Sequence, residues 1–318
     1  MKHIHLFLAL IGLPAAALAS LDQKATPSAP PNAGNPALVW DVAPALRNGI
    51  PRSFRTTNDP LKLNGAKAPD LTGLEQLKAS GSAEFTSKSL KLMLSKLPGP
   101  VIIFDLRQES HGFINGNAVS WYATNNWANV GKTPEQVAED EGRRLGSCAA
   151  GTDITLSEDR VIKGDAANAA TERVTVKSVK TEGDLVAAHG ASYIRIPVPD
   201  HCRPTDAAVD QFVLAVRAMP AGSWAHFHCR AGRGRTTTFL VLYDMLRNAK
   251  AVALQDIVAR QSLLLAGGYD VLSAPELGSG KDSVAADRAE FVKAFYGYAR
   301  SNPDGRPLLW SEWLKKQP

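Results

Sequence analysis

Cysteine is scarce in this sequence, which has only Cys148, Cys202 and Cys229 among 318 residues. An odd count leaves at least one thiol outside any intramolecular disulfide. A chain of this length does not need disulfides to stabilise its core, although the count permits a bridge between Cys148 and Cys202. The scarcity excludes a small disulfide-stapled scaffold and makes the surroundings of each thiol informative.

Long apolar runs are lacking beyond the N-terminus. At the N-terminus itself, Lys2 precedes the short apolar stretch "IHLFLALIGL". Small residues at Ala17 and Ala19 follow, as in a secretory signal peptide. We expect residues 1–19 to be removed and the protein to be exported, to the periplasm or outside the cell, without a membrane anchor. Residues 20–36 are predicted to be a flexible tail, followed by one domain over residues 37–318.

Neither sign of charge dominates, because 36 Lys and Arg residues face 31 Asp and Glu residues, for a net charge of +5. Such a balance is common, and it is also compatible with a polyanionic ligand such as a highly phosphorylated small molecule. We do not predict a nucleic-acid partner. The histidines lack metal-ligand spacing, so neither a metal site nor another cofactor is predicted, and the oligomeric state stays open.

Short β-branched runs alternate with amphipathic segments along much of the chain. This order favours an α/β fold in which helices flank a central, mostly parallel sheet. Thr/Val-rich alternation predicts a small antiparallel β insertion over about residues 151–182. We expect turns at His111-Gly112 and Asn115-Gly116, and a helix from its cap Thr133 to about Leu145. Further strands are predicted at 100–106, 192–198 and 224–228, and further helices at 206–219, 236–246, 252–265 and 284–300.

The stretch "HCRAGRGRT" (228–236) connects a predicted strand to a predicted helix and contains one cysteine. Cys229 would lie at the carboxyl end of a parallel strand, where α/β folds bind ligands. Gly232 and Gly234 let the backbone curl, so that N–H groups point inward at a helix N-terminus and form an anion nest. The planar guanidinium of Arg235 can bind two phosphate oxygens above the sulfur. These groups favour a thiolate, so the turn predicts a nucleophile inside a phosphate cradle.

A thiolate that attacks a phosphoester needs an acid to protonate the leaving oxygen. Asp200, in "VPDHCRPT", follows a predicted strand and is flanked by prolines that can shape a flap. An Asp in such a loop is more often a turn residue or a helix cap. Its combination with Cys229 and Arg235 favours the role of general acid.

These segments resemble a known family. "HCRAGRGRT" resembles the signature loop of cysteine-dependent protein-tyrosine-phosphatase-like enzymes. The blocks "PRSFRTT", "DLRQESHGFINGNAVSW", "NNWANVGKT" and "DGRPLLWSEWLKK" further resemble the bacterial protein-tyrosine-phosphatase-like phytases, which hydrolyse inositol hexakisphosphate. The resemblance extends over residues 51–316. It implies a phosphatase-like catalytic domain over residues 37–318, to which the β insertion is a small barrel-like addition.

The resemblance implies a role for each matched residue. Cys229 would form a phosphocysteine, Arg235 would hold the phosphoryl group, and Asp200 would first protonate the inositol oxygen and then activate water. His228 would support the thiolate, and Thr236 would donate a hydrogen bond to the sulfur. The expected substrate-binding residues are Arg55, Asp105, His201, Arg230, Ala231, Gly232, Arg233, Gly234 and Lys281. Several have plainer alternatives: Arg55 and Lys281 as solvated charges, Asp105 as an anchor for a basic residue, and Arg230 and Arg233 as outward-facing cations.

Two substrate classes fit this chemistry. A basic rim formed by Arg230 and Arg233 would concentrate a crowded polyanion, whereas phosphotyrosine needs less positive charge and a deep apolar slot. We therefore expect inositol hexakisphosphate and lower inositol polyphosphates to be hydrolysed without a metal. The alternatives are a secreted protein-tyrosine phosphatase with the same Cys/Arg/Asp chemistry and a polyanion-binding module without activity.

Overall fold

The computed structural model describes residues 36–273 and 282–317, apart from residues 64, 66 and 162. The predicted signal peptide and Lys281 lie outside the described residues. The strands are β1 (Ala37–Trp40), β2 (Arg55–Thr56), β3 (Ala79–Ser82), β4 (Val101–Arg107), β5 (His111–Ile114), β6 (Asn117–Tyr122), β7 (Asp153–Ser157), β8 (Thr171–Thr175), β9 (Val179–Lys180), β10 (Ser192–Val198) and β11 (Trp224–His228). The α-helices are α1 (Ser87–Leu94), α2 (Pro134–Gly146), α3 (Glu182–Ala188), α4 (Asp206–Ala218), α5 (Gly234–Asn248), α6 (Leu254–Leu263), α7 (Asp282–Ser301) and α8 (Trp310–Leu314).

Five strands form the main sheet, in the order β10-β4-β11-β3-β2. The first four run parallel to one another, and β2 pairs antiparallel to β3 at one edge. All seven residues of β4 are buried, as expected of a parallel strand that is covered on both faces. The predicted α/β fold with a mostly parallel central sheet is therefore confirmed.

Side chains of the main sheet alternate between two packed layers. On β4, Ile102 and Phe104 pack with helices α4 to α7, whereas Ile103 packs with α1 and α3. On β11, Phe227 joins the first layer, and the His228 ring lies on the other face, 5.0 Å from the ring of Phe85. Strand β11 therefore ends, before the loop that follows it, with an apolar side chain, Phe227, packed on one face of the sheet and a polar one, His228, on the other.

A second, six-stranded sheet has the order β8-β7-β1-β6-β5-β9. Within the predicted insertion, β7 and β8 form an antiparallel hairpin. The sheet is larger than residues 151–182, however, because β1 pairs with both β6 and β7 and joins the hairpin to strands from elsewhere in the chain. We call this six-stranded unit the small sheet.

The predicted turn at His111-Gly112 is wrong, because these residues begin β5. Glycine is needed there for space: a Cβ on Gly112 would lie 2.7 Å from a methyl carbon of Leu145. The turn at Asn115-Gly116 is confirmed, and both residues have positive φ angles, of 53° and 75°, as a tight hairpin requires.

The helix predicted after Thr133 is also confirmed. The Thr133 side chain caps α2 and forms a reciprocal capping box with Gln136. None of the helices in the described part of the chain combines the length and apolar character that a membrane span needs.

Candidate active site

Three parallel strands of the main sheet end at the same edge. The chain continues from β11 into Cys229, from β10 towards Asp200 and from β4 towards Glu109. Because the carboxyl ends of parallel strands form the ligand-binding edge of α/β sheets, these residues meet although they lie far apart in sequence. The edge therefore contains a thiol, a carboxylic acid and a further buried carboxylate.

Residues 229–235, which we call the anion loop, are held from outside through carbonyl oxygens. Ser53 Oγ donates to the Ala231 carbonyl at 3.2 Å, and Arg55 Nη1 donates to the Gly232 carbonyl at 2.9 Å. Because these carbonyls are bound from outside, we infer that the N–H groups of the loop face its inner side, which is the arrangement of an anion nest. Gly232 is required because its φ is 70° and an added Cβ would lie 2.3 Å from the Ala83 nitrogen.

The Cys229 thiol lies at the base of this nest and is buried. Thr236 Oγ1 donates to its sulfur at 3.2 Å, which is the hydrogen bond that the resemblance implied. Such a bond stabilises negative charge on the sulfur, both in a thiolate nucleophile and when a sulfur–phosphorus bond breaks.

Arg235 is fixed beside the nest by Glu109. Its Nη1 and Nη2 atoms lie 2.7 Å and 3.0 Å from the two Glu109 oxygens, and Nη1 also donates to the Val198 carbonyl at 3.0 Å. Burial disfavours the guanidinium cation, but Asp200 and Glu109 outweigh it and raise the pKa of Arg235 above its ordinary value. The Nε atom is buried without a partner among the described residues, so a donor remains available to an oxyanion.

Asp200 lies beside Arg235. Its Oδ1 is 3.3 Å from Arg235 Nη2, and it accepts the His201 N–H at 3.0 Å. Trp127 Nε1 donates to the Asp200 carbonyl at 2.8 Å and so anchors the loop that carries the acid. The carboxyl group stays partly exposed, as a group that exchanges protons with substrate and water must be.

Asp200→Asn is expected to lower kcat/KM, which reports the first step, for an alkyl phosphate such as β-glycerophosphate by about 10²–10⁴-fold, because the alkoxide then leaves without a proton. The loss for p-nitrophenyl phosphate should be much smaller, since nitrophenolate leaves readily without protonation. Steady-state kinetics on both substrates check this. Equal losses on both would mean that Asp200 is not the acid.

His228 belongs to a buried network of charges below the anion loop. Its Nε2 lies 2.7 Å from a Glu182 oxygen, and Glu182 also contacts His111 Nε2 at 3.0 Å. Burial alone would lower the pKa of His228, but Glu182 and Glu84 raise it to about 9. His228 therefore places a positive charge behind Cys229 at neutral pH, consistent with the electrostatic support that the resemblance implied.

This raised pKa makes stability depend on pH. His228 has an ordinary pKa of 6.5 and a folded-state pKa of about 9, so its contribution is complete below pH 6.5 and is lost as the pH rises through 9. We expect the free energy of unfolding in urea to fall by about 1–3 kcal/mol across this range. Glu182→Gln removes the main charge partner and should reduce the decline. An identical pH dependence in both proteins would exclude this ion pair as its source.

The network contains residue types that bind metals. Two groups of three have ligand atoms within 4.8 Å of one another: Glu84, His111 and Glu182, and Asp105, Glu182 and His228. Neighbouring carboxylates outweigh burial and raise the pKa of His111 as well as that of His228. A protonated imidazole has no lone pair for a metal, so we interpret the network as ion pairs.

The family model "PTPlike_phytase: Inositol hexakisphosphate" matches residues 104–247. The solved structure of a protein-tyrosine-phosphatase-like (PTP-like) phytase from Bdellovibrio bacteriovorus is 36% identical, with a TM-score of 0.74, over 93% of this chain and 98% of that one. The chain belongs to the PTP-like phytase family.

Two further relatives are longer than this chain. A tandemly repeated PTP-like phytase from Mitsuokella multacida is 38% identical with a TM-score of 0.80, over 91% of this chain and 50% of that one. The effector protein hopD2 of Pseudomonas syringae pv. tomato is 32% identical over 88% of this chain and 60% of its own length. The chain therefore spans about half to three fifths of the length of these two relatives.

Four of the predicted substrate-binding residues are held by protein partners in the structure. Arg55 is fully buried and donates to Gly232 and Thr237, so it supports the anion loop from behind. Asp105 is also fully buried, where it accepts from Tyr193 at 2.8 Å and contacts Arg195 at 3.2 Å. It anchors a basic residue, which was the alternative, and does not reach the nest.

The two loop arginines are not a free basic rim. Arg230 pairs with Asp41 at 2.7 Å and Asp159 at 2.8 Å, and thereby ties the anion loop to the small sheet. Arg233 donates to the Gly268 carbonyl at 2.6 Å. Both cations are used to hold the loop against neighbouring segments of the phytase fold.

Arg230→Gln is expected to lower the free energy of unfolding by about 1–3 kcal/mol, because two ion pairs to partly or fully buried carboxylates are lost. This loss of unfolding free energy is at the lower end of the range for broken buried ion pairs, because Asp41 keeps its ion pair with Arg107. We expect kcat to change by less than about fivefold, since no phosphate contact is removed. Urea denaturation and kcat on one monoester measure both effects. A large loss of kcat with unchanged stability would instead indicate that Arg230 contacts the substrate.

Four further predicted substrate-binding residues lie in or beside the anion loop. Ala231, Gly232 and Gly234 belong to the anion loop, and His201 follows Asp200 in a left-handed conformation with φ of 69°. Glu109 and Trp127, which position Arg235 and Asp200, were not predicted. The signal for both was present, since each belongs to one of the blocks that resemble the family.

All three cysteines are free thiols, so Cys148 and Cys202 do not form a disulfide in this structure. Cys148 packs in the core of the small sheet. Cys202 Sγ donates to the Asp200 carbonyl at 3.5 Å, and burial together with Asp200 raises its pKa to about 12. Cys202 therefore stays protonated and contributes to the shape of the acid loop.

Proposed function

We propose that the protein is an exported, metal-independent phosphatase that hydrolyses inositol hexakisphosphate and lower inositol polyphosphates through a phosphocysteine intermediate. The observation that carries the proposal is the meeting of Cys229, Arg235 and Asp200 around one nest. Membership of the PTP-like phytase family supports it. So does a 37% identical PTP-like myo-inositol phosphatase from Mitsuokella multacida, solved in complex with myo-inositol-(1,3,4,5)-tetrakisphosphate.

In the first step, the Cys229 thiolate attacks phosphorus while the bond from phosphorus to the inositol oxygen breaks. The sulfur–phosphorus bond forms in line with the leaving oxygen, which takes its proton from Asp200. The nest N–H groups and Arg235 stabilise the charge on the three equatorial oxygens. Glu109 contributes by holding the planar guanidinium in one orientation before substrate arrives.

In the second step, water attacks the phosphorus of the phosphocysteine. The Asp200 carboxylate, left ionised by the first step, accepts a proton from that water. The sulfur–phosphorus bond breaks, the thiolate returns to its hydrogen bond with Thr236, and inorganic phosphate leaves. Each side chain is thereby restored to its starting protonation state without a metal.

The test compares phosphate release from inositol hexakisphosphate with release from a phosphotyrosine peptide, both in excess chelator. We expect kcat/KM to favour inositol hexakisphosphate, and chelator to leave it unchanged. A clear preference for the peptide would identify a protein-tyrosine phosphatase instead. Loss of activity with chelator, restored by added metal, would contradict the metal-independent mechanism.

Export has its own test. We expect the full-length chain, expressed in a Gram-negative host, to be recovered from the periplasm or medium with Ser20 as its first residue. Retention of the uncleaved chain in the cytoplasm would contradict the signal-peptide prediction.

A further inference from the structure

Arg107, the last residue of β4, is a buried cation that binds three carboxylates. Its Nη1 lies 2.8 Å from an oxygen of Asp41 and 2.6 Å from an oxygen of Glu84, and its Nε lies 2.9 Å from Glu109 Oε1. The side chain is fully buried, so any contribution that it makes to the reaction passes through other residues. Of its three partners, Glu109 leads directly to the active site.

Glu109 is shared by two arginines. Its Oε1 accepts from Arg107 Nε at 2.9 Å and from Arg235 Nη2 at 3.0 Å, while its Oε2 accepts from Arg235 Nη1 at 2.7 Å. Hydrogen bonds on both sides fix the orientation of the carboxylate. Because the Arg235 guanidinium is oriented by the two Glu109 oxygens, a loss of Arg107 on one side of the carboxylate is passed to Arg235 on the other.

The second arginine also affects the charge beside the anion loop. A carboxylate that fixes Arg235 cancels part of the positive charge that stabilises the phosphoryl oxygens in the transition state. Arg107 binds the same carboxylate, so the group of two guanidinium ions and one carboxylate remains positive. Burial opposes ionisation of Glu109, but Arg235 and Arg107 outweigh it and hold the pKa of Glu109 well below its ordinary value, so both ion pairs persist at neutral pH.

A second branch of these ion pairs also ends on the anion loop. Asp41 accepts from Arg107 at 2.8 Å and from Arg230 at 2.7 Å. The chain of ion pairs therefore begins and ends on the anion loop, in the order Arg235, Glu109, Arg107, Asp41 and Arg230. The branches differ in what they hold, because Glu109 orients the arginine beside the nest, whereas Arg230 ties the loop to the small sheet. We expect only the Glu109 branch to affect bond cleavage.

We propose that Arg107 is a positioning residue for the reaction: it holds Glu109 in place and thereby keeps the Arg235 guanidinium oriented and electropositive towards the phosphoryl group. The inference rests on the proposed function, because it takes Arg235 to bind the phosphoryl group in both steps. It does not depend on which monoester is the natural substrate, so p-nitrophenyl phosphate suits its test.

Arg107→Lys tests the proposal, since one ammonium keeps the charge but cannot serve all the carboxylates that Arg107 reaches through Nε and Nη1. We expect kcat on p-nitrophenyl phosphate to fall about 10–100-fold, the scale on which small misplacements of a catalytic group act. Because both steps need Arg235, kcat falls whichever step limits the rate. A kcat within about threefold of the wild type would overturn the proposal.

The matched control is Arg260→Lys. Arg260 is as fully buried as Arg107, but it lies on α6 and donates to Asp244 on α5 at 2.8 Å. Its substitution removes a buried arginine fork without touching Glu109, so urea stability should fall while kcat stays within about threefold of the wild type. A loss of kcat equal to that of Arg107→Lys would overturn the proposal, because any loosening of the core would then have the same effect.

Combining Arg107→Lys with Arg235→Lys separates positioning from a merely structural role. If Arg107 acts through Arg235, adding Arg107→Lys should lower kcat less than about threefold further, because the guanidinium that Glu109 orients is already gone. Losses that multiply in the double variant would overturn the proposal. Wild-type kcat in Arg235→Lys alone would instead contradict the proposed function.

A charge-balanced variant covers the case in which Arg107→Lys does not fold. Arg107→Gln combined with Glu84→Gln removes one buried cation and one of its anionic partners, so no unpaired charge is added to the core. Glu109 again loses its second arginine, and we expect the same 10–100-fold loss of kcat, absorbed in the Arg235→Lys background as before. Wild-type kcat in this variant would overturn the proposal.

Discussion

Cys229→Ser is expected to lower kcat for phosphate monoesters by at least about 10⁴-fold, the scale on which nucleophile substitutions act. A serine hydroxyl stays protonated in this site, because the neighbouring Thr236 hydroxyl donates a hydrogen bond and does not remove a proton. Neither Asp200 nor His228 replaces the missing base: Asp200 must supply a proton to the leaving group, and His228 is already protonated at neutral pH because Glu182 outweighs burial and raises its pKa.

The variant should otherwise resemble the wild type. We expect urea stability within about 1 kcal/mol, because one small side-chain atom is exchanged in a buried position. Steady-state rates on p-nitrophenyl phosphate measure the loss, and stability serves as the control. A residual kcat within about tenfold of the wild type would show that phosphate is not transferred to residue 229.

Arg235→Lys is expected to lower kcat by about 10³-fold or more, although the charge is conserved. A lysine ammonium cannot make the two parallel contacts that Arg235 makes with Glu109, nor hold two phosphoryl oxygens in one plane. The loss should appear mainly in kcat, because charge on the equatorial oxygens develops most in the transition state.

The matched control for this variant is Arg233→Lys in the same loop. Arg233 donates to backbone carbonyls at its outer end, so its loss should change kcat by less than about threefold. Comparable losses in the two variants would mean that the loop needs positive charge in general. If Arg235→Lys kept kcat within about tenfold of the wild type, the proposal that the Arg235 guanidinium holds two phosphoryl oxygens would be contradicted.

The central chemistry could be predicted because it depends on local sequence and on one rule of sheet geometry. Cys229, Gly232 and Arg235 lie within one nine-residue stretch, and their spacing already implies a nest. Asp200 could be placed beside them because both residues follow parallel strands, whose carboxyl ends share one edge of the sheet.

The supporting contacts could not be predicted because their partners are distant in sequence. Glu109 and Arg235 are 126 residues apart, and Arg230 and Asp41 are 189 apart. An arginine in a glycine-rich turn has the same local pattern whether it faces solvent or a buried carboxylate. The small sheet was underestimated for the same reason, since only the folded chain shows that β1 pairs with β7.

The most direct test of the account is to look for phosphate on the nucleophile. Asp200→Asn should cleave p-nitrophenyl phosphate but hydrolyse the intermediate slowly, because no carboxylate accepts the proton of the attacking water. Rapid quenching followed by mass spectrometry of the digested protein should find the phosphate on Cys229, and not in a Cys229→Ser version. Turnover without a phosphorylated Cys229 peptide, or phosphate on another residue, would contradict the two-step phosphocysteine mechanism.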